Sequence, residues 1–175
     1  MKTSLACAAL LVLCALPAAA GGGAPKPAPI LNPAIDPEGY LDMARESAAL
    51  RASRRVSEAE FLRMAAEPGT VVLDARSADK FRELHVKGAV SLPFTDFTAG
   101  SLAKVLPSKA TRVLIYCNNN FRNSERAFPA KASTAALNLS TFQSLVSYGY
   151  RNVYELGPLV DPKVSSLGFE GTTWR

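Results

Sequence analysis

Apolar positions along the chain fall into short runs separated by polar, capped segments. Arg112-Val113-Leu114-Ile115-Tyr116 is the strongest run. Val71-Val72-Leu73 and Ala89 to Leu92 are shorter ones, and Val153-Tyr154-Glu155-Leu156 reads as a further strand. Short runs that are apolar without alternation predict strands covered on both faces. Between them the spacing turns helical. Leu41, Ala44 and Ala48 share one face of a helix predicted over 36–51, with Pro37 in its first turn. Ser57-Glu58-Ala59-Glu60 is a capping box that opens a second helix carrying Phe61, Leu62 and Ala65, ended by Pro68-Gly69. A short helix is predicted near 78–84, with Ser77 as its cap. Residues 102–106 read as part of a loose connection. Ser140-Thr141-Phe142-Gln143 reads as another capping box, opening a helix with Phe142, Leu145 and Val146 that stops at Gly149. Strands alternating with short helices predict an α/β fold, a central parallel sheet of about five strands with helices on both faces.

The first residues follow a different pattern. Met1-Lys2 gives a positive start, Leu5 to Leu16 is apolar, Pro17 breaks the run, and Ala18-Ala19-Ala20 supplies a small-residue cleavage site. Residues 1–20 therefore read as a signal peptide, too short for a bilayer anchor, and the mature chain is expected in the periplasm or secreted. Residues 21–35, rich in Gly and then Pro, read as a flexible leader. Residues 36–53 form the N-terminal helical segment expected to pack on the domain, and 54–175 the domain itself. That length suits one domain with a full core.

Cleavage would change the cysteine arithmetic. Of three cysteines, Cys7 and Cys14 leave with the signal, and Cys117 stays alone. A lone thiol in an oxidising compartment is either buried and inert or kept free for chemistry. Cys117 ends the strongest strand and is followed by Asn118-Asn119-Asn120-Phe121-Arg122. The net charge of +5 is compatible with a small anionic substrate. No Arg/Lys block carries interleaved aromatics, so nucleic acid is not expected as a partner. One histidine and one retained cysteine argue against a metal site, and no cofactor is expected. Nothing after the signal is long and apolar enough to cross a membrane.

Residues 73–93, LDARSADKFRELHVKGAVSLP, resemble the rhodanese (sulfurtransferase) domain family. Leu73, Asp74, Arg76, Phe81, His85, Val86, Gly88, Ala89 and Pro93 stand in register with its first motif. Ile115-Tyr116-Cys117 matches the strand that ends in a cysteine, and Gly149, Tyr150, Asn152, Val153, Tyr154 and Leu156 match the closing motif. The resemblance spans 54–157. It implies that Cys117 is a nucleophile that takes a sulfane sulfur from a thiosulfate-like donor, holds it as a persulfide and passes it to cyanide or a thiol. It implies that Asn118, Asn119, Asn120, Phe121 and Arg122 form the loop around that sulfur. Elementary chemistry agrees: a thiolate needs a lowered pKa to react near neutral pH, and a loop that aims backbone N–H groups at one point supplies it. Arg122 is expected to add charge at the mouth, and the asparagines to tolerate left-handed backbone. His85, Asp74, Arg76 and Gly88 read as structural, and Arg126 and Lys131 as surface charges.

The chain departs from the family pattern in three places. Asn120 stands where many members carry a loop glycine. Residues 123–139 are inserted ahead of the helix, a candidate lid or docking surface for a protein acceptor. Gly157 is followed by Pro158 rather than by a second glycine. Two alternatives follow. One is a rhodanese-fold binding or sensing module without turnover, with Cys117 as a buried thiol. The other is a phosphatase, which needs five residues between cysteine and arginine where this chain has four.

Overall fold

A computed structural model describes residues 32–174. The chain divides into two units, residues 1–34 and 35–175. In the first, the Ala34 N–H closes a turn on Asn32 Oδ1 at 3.0 Å. The signal expected over 1–20 and most of the leader over 21–35 lie outside the described residues.

The second unit holds helices α1 (Pro37–Arg51), α2 (Glu58–Ala65), α3 (Ala78–Glu83), α4 (Ala99–Val105) and α5 (Leu137–Ser147). Its strands are β1 (Arg55–Val56), β2 (Thr70–Asp74), β3 (His85–Val86), β4 (Val90–Ser91), β5 (Arg112–Tyr116), β6 (Val153–Leu156) and β7 (Phe169–Glu170). Five strands form one sheet in the order β1-β6-β5-β2-β4, and every pairing is parallel. β3 and β7 pair antiparallel as a separate ribbon.

Central position explains why β5 reads as continuously apolar. Val113 and Ile115 point into one layer with Leu73, Leu102, Phe142, Leu145 and Val153. Leu114 and Tyr116 point into the opposite layer with Phe61, Met64, Val72 and Leu156. Both faces of the strand are covered, so both sets of alternate positions must be apolar. Each such side chain contributes about 1.5–3 kcal/mol by leaving water. Met43 and Leu50 seat α1 on the first layer, against α5. Asp36 caps α1 by accepting from the Gly39 N–H at 2.8 Å.

Two elements differ from the sequence reading. Residues 99–105 are a helix, not a loose connection, and its cap is reciprocal: the Ser101 N–H donates to Thr98 Oγ1 and the Thr98 N–H to Ser101 Oγ. The box is closed by serine rather than Glu or Gln, so the usual signature is absent. Helix α5 begins at Leu137, three residues before the box at Ser140, and its N-cap Ala136 offers no capping side chain. At its far end Gly149, with φ 86°, lets the Tyr150 N–H return to Leu145 O and stop the helix. Among the described residues no helix is long and apolar enough to cross a membrane.

Candidate active site

β5 delivers Cys117 to the carboxyl end of the sheet, where the chain turns through a 3₁₀ segment, Asn118–Asn120. Asn120 ties this turn to its surroundings. Its Oδ1 accepts from the Cys117 N–H at 2.9 Å and from Asn138 Nδ2 at 3.1 Å, and its Nδ2 donates to Leu156 O at 2.7 Å. Asn119 exchanges two hydrogen bonds with the Lys131 backbone, at 2.7 and 3.1 Å. The asparagines thus work through their amide groups. The expected left-handed backbone is not found in 118–120; among described non-glycine residues it occurs at Asn123 alone, φ 58°.

The Cys117 side chain is 1% exposed. The backbone N–H groups of Asn138, Asn119 and Leu137 favour its thiolate. Two of these belong to the first turn of α5, whose donors have no intrahelical partner. The first turn of α5 therefore acts on the thiol despite the insertion. The pKa nonetheless moves opposite to the expected direction. Burial pushes the Cys117 thiol up, the backbone donors pull it down by less, and the Glu155 carboxylate adds to the rise. The expected lowering is thus replaced by a rise.

Beside the sulfur lies a cavity of about 260 Å³, walled by Cys117, Asn119, Asn120, Asn138, Glu155, Arg51 and Arg55 among others. Glu155 is 1% exposed. Arg51 clamps both of its oxygens, Nε to Oε2 at 2.7 Å and Nη2 to Oε1 at 2.6 Å. Arg55 lies directly across the β1–β6 pairing and donates Nε to Oε1 at 3.0 Å. On the same wall Asn138 Oδ1 is buried and has no hydrogen-bond partner among the described residues.

The expected site residues divide. Cys117, Asn119 and Asn120 meet at the cavity. Asn118 lines a different cavity, of about 560 Å³, with Arg76, Lys80, Pro93, Phe94 and Lys131. Phe121 is a core residue, edge-on to Tyr116 and Phe169. Arg122 is exposed; its backbone N–H donates to Val160 O, and its charge acts on the Asp161 carboxyl. Neither lines the cavity beside the sulfur. The arginines there are Arg51 and Arg55, which sequence reasoning passed over. The available signal was Glu155, a carboxylate inside a strand covered on both faces, which requires a cationic partner.

The remaining motif residues hold structure. Arg76 and Asp74 form a buried pair, Nη2 to Oδ2 at 2.6 Å, and Arg76 Nη1 donates to Ala127 O at 2.9 Å. His85 stacks on Phe81 at 3.7 Å, and its Nδ1 sits 2.7 Å from Phe81 O. The insertion 123–139 is partly core: Ala127 and Phe128 are buried, while 130–135 are exposed. Among the described residues no group of three or more His, Cys, Asp or Glu could hold a metal ion.

A model of the family described as "Rhodanese-like domain" matches residues 57–157. No curated protein matches the sequence. Among solved structures, the BH2092 protein from Bacillus halodurans is 20% identical, aligns over 76% of this chain and 88% of its own, and superposes with a TM-score of 0.50. The rhodanese-like domain of the Alr3790 protein from Anabaena sp. is 23% identical over 69% of this chain and 80% of its own, with a TM-score of 0.47.

Proposed function

The chain belongs to the rhodanese-like domain family, and from that premise we propose that it is a sulfurtransferase working through a persulfide on Cys117. The observation that carries this reading is the placement of the Cys117 thiol on a polar cavity walled by Asn119, Asn120, Asn138 and two arginines, with the backbone N–H groups of Asn119, Leu137 and Asn138 favouring its thiolate. Oriented backbone donors favour negative charge at the point they share. In the first step the Cys117 thiolate attacks the outer sulfur of a thiosulfate-like donor. A new S–S bond forms, the donor's S–S bond breaks, and its electron pair leaves with sulfite. In the second step cyanide or a thiolate attacks the outer persulfide sulfur, and the Cys117 thiolate departs. No external oxidant or reductant is needed.

The burial of Cys117 supports a second reading, a binding module without turnover. Arg122 lies away from the cavity, which disfavours the phosphatase. The apolar run over 5–16 and its small-residue cleavage site support export to the periplasm or beyond. Intact mass after thiosulfate treatment tests the reading. A gain of one sulfur atom, absent in Cys117→Ala, together with thiosulfate-dependent thiocyanate formation, is expected. No adduct on a thiol that iodoacetamide still alkylates would leave the binding module.

A further inference from the structure

The two arginines on the wall beside Cys117 lie outside the matched segment 57–157. Arg51 closes α1 and Arg55 opens β1. Both are spent in part on Glu155, whose side chain is sealed at 1% exposure while theirs are 26% and 53% exposed. A buried carboxylate persists only when paired. Here the pairing is in excess: two guanidiniums face one carboxylate, so the cluster carries net positive charge. Arg51 uses Nε and Nη2 on Glu155; Arg55 uses Nε on Glu155 and Nη2 on Gly157 O at 3.1 Å. Each therefore keeps an Nη1 group without a protein partner among the described residues. The carboxylate holds two flexible side chains in one place, which lowers the entropy a ligand must remove to engage them.

We infer that Arg51 and Arg55, locked by Glu155, are the donor-recognition clamp of this site, seating the oxyanion end of a thiosulfate-class dianion while its outer sulfur meets Cys117. The inference rests on the persulfide reading and adds the residues that select its donor. A cavity of about 260 Å³ admits an ion of that size. The clamp has a reason to act on rate as well as on binding. As the donor's S–S bond breaks, charge accumulates on the departing sulfite, which is the end the guanidiniums face. It also makes α1 part of the site rather than packing alone.

The test separates charge recognition from sulfur chemistry. Cys117 in the full chain is alkylated with iodoacetamide, which is neutral, and with iodoacetate, which is anionic and has the same leaving group. Arg55→Gln, which leaves the two bonds from Arg51 to Glu155 in place, is expected to lower the iodoacetate-to-iodoacetamide rate ratio by about threefold, and Arg51→Gln/Arg55→Gln by about tenfold. Should the double variant unfold, Arg55→Gln alone keeps the measurement possible. The thiosulfate concentration for half-loading of sulfur should rise by a similar factor. A ratio unchanged in Arg55→Gln overturns the clamp, whatever the mass experiment shows. A ratio that falls in the variants while the wild-type chain takes up no sulfur keeps the clamp for anions and overturns its role in sulfur transfer.

Discussion

Replacing Arg76 by alanine tests how the site is held from beneath. The Arg76 and Asp74 side chains are 1% and 0% exposed. The guanidinium donates Nε to both Asp74 oxygens, at 3.0 and 3.1 Å, and Nη2 to Oδ2 at 2.6 Å. It also donates to Leu84 O at 2.7 Å and Ala127 O at 2.9 Å, and its charge lies 4.2 Å from the Phe128 ring centre. Alanine leaves a buried carboxylate served only by the Arg76 N–H at 3.0 Å and the Tyr116 OH at 2.6 Å. Losing one partner of a buried pair costs about 3–5 kcal/mol, and each orphaned carbonyl adds about 1 kcal/mol. A loss of about 5 kcal/mol consumes much of a typical domain's stability and lowers Tm by at least about 10 °C. Urea unfolding and thermal melts measure it. Asp74→Asn/Arg76→Met removes both charges and should recover about half the loss, because the pair is coupled. The Ala127 anchor fixes the segment that leads to α5, so Arg76→Ala should also raise the iodoacetamide rate at Cys117. A single-variant loss below about 1 kcal/mol, or strict additivity in the cycle, refutes the reasoning.

Two further outcomes follow from the thiol and its turn. The iodoacetamide rate should climb with pH through values above the ordinary thiol range of about 8.5, because burial raises the Cys117 pKa. The same shift gives stability that is complete below the unfolded thiol's pKa and lost as pH rises through the folded value; a midpoint at or below the ordinary value contradicts it. Asn120→Ala removes the acceptor of the Cys117 N–H and the donor to Leu156 O, and should cost about 2 kcal/mol in urea unfolding while slowing sulfur loading. Unchanged stability would show that the turn is held by other contacts.

The legible parts of the chain were those whose physics is local or covered on both sides. β5 and β6 occupy the spans expected for them, because burial on both faces keeps nearly all of their positions apolar, Glu155 being the exception inside β6. The caps at Asp36, Ser57 and Ser77 start helices where expected, since each serves donors a few residues away. α4 was not legible because its Thr98–Ser101 cap imitates a loop. α5 was placed late because its N-cap, Ala136, carries no capping side chain, so no signature marks its start at Leu137. Arg51 and Glu155 meet across 104 positions, and only the parallel pairing of β1 with β6 brings Arg55 to the same carboxylate. Arg122 drew attention by adjacency to the cysteine, but the chain turns before it, and Val160 takes its backbone N–H.

The two opposing pulls on Cys117 fix which charge state suits the site. At rest the sulfur is buried, and the donors from Asn119, Leu137 and Asn138 do not offset that burial. A persulfide carries its charge on the outer sulfur, about 2 Å farther along the S–S bond. The open side of Cys117 is the cavity that Arg51 and Arg55 line, so this step moves the charge out of the desolvated position and toward the net positive cluster. Burial then penalises the anion less, and the guanidiniums favour it more. A thiol raised in its free form and a persulfide that is comfortable as an anion are therefore compatible in one structure. On the sulfurtransferase reading the raised pKa counts as a property of the empty carrier, not as an argument against turnover. The comparison that decides it is the pH dependence of loading against that of discharge: loading should require deprotonation of a reluctant thiol, and transfer to cyanide from the preloaded chain, with each rate divided by the ionised fraction of the cyanide, should show no such high-pH limb. Two parallel profiles would mean that the charge does not move as described.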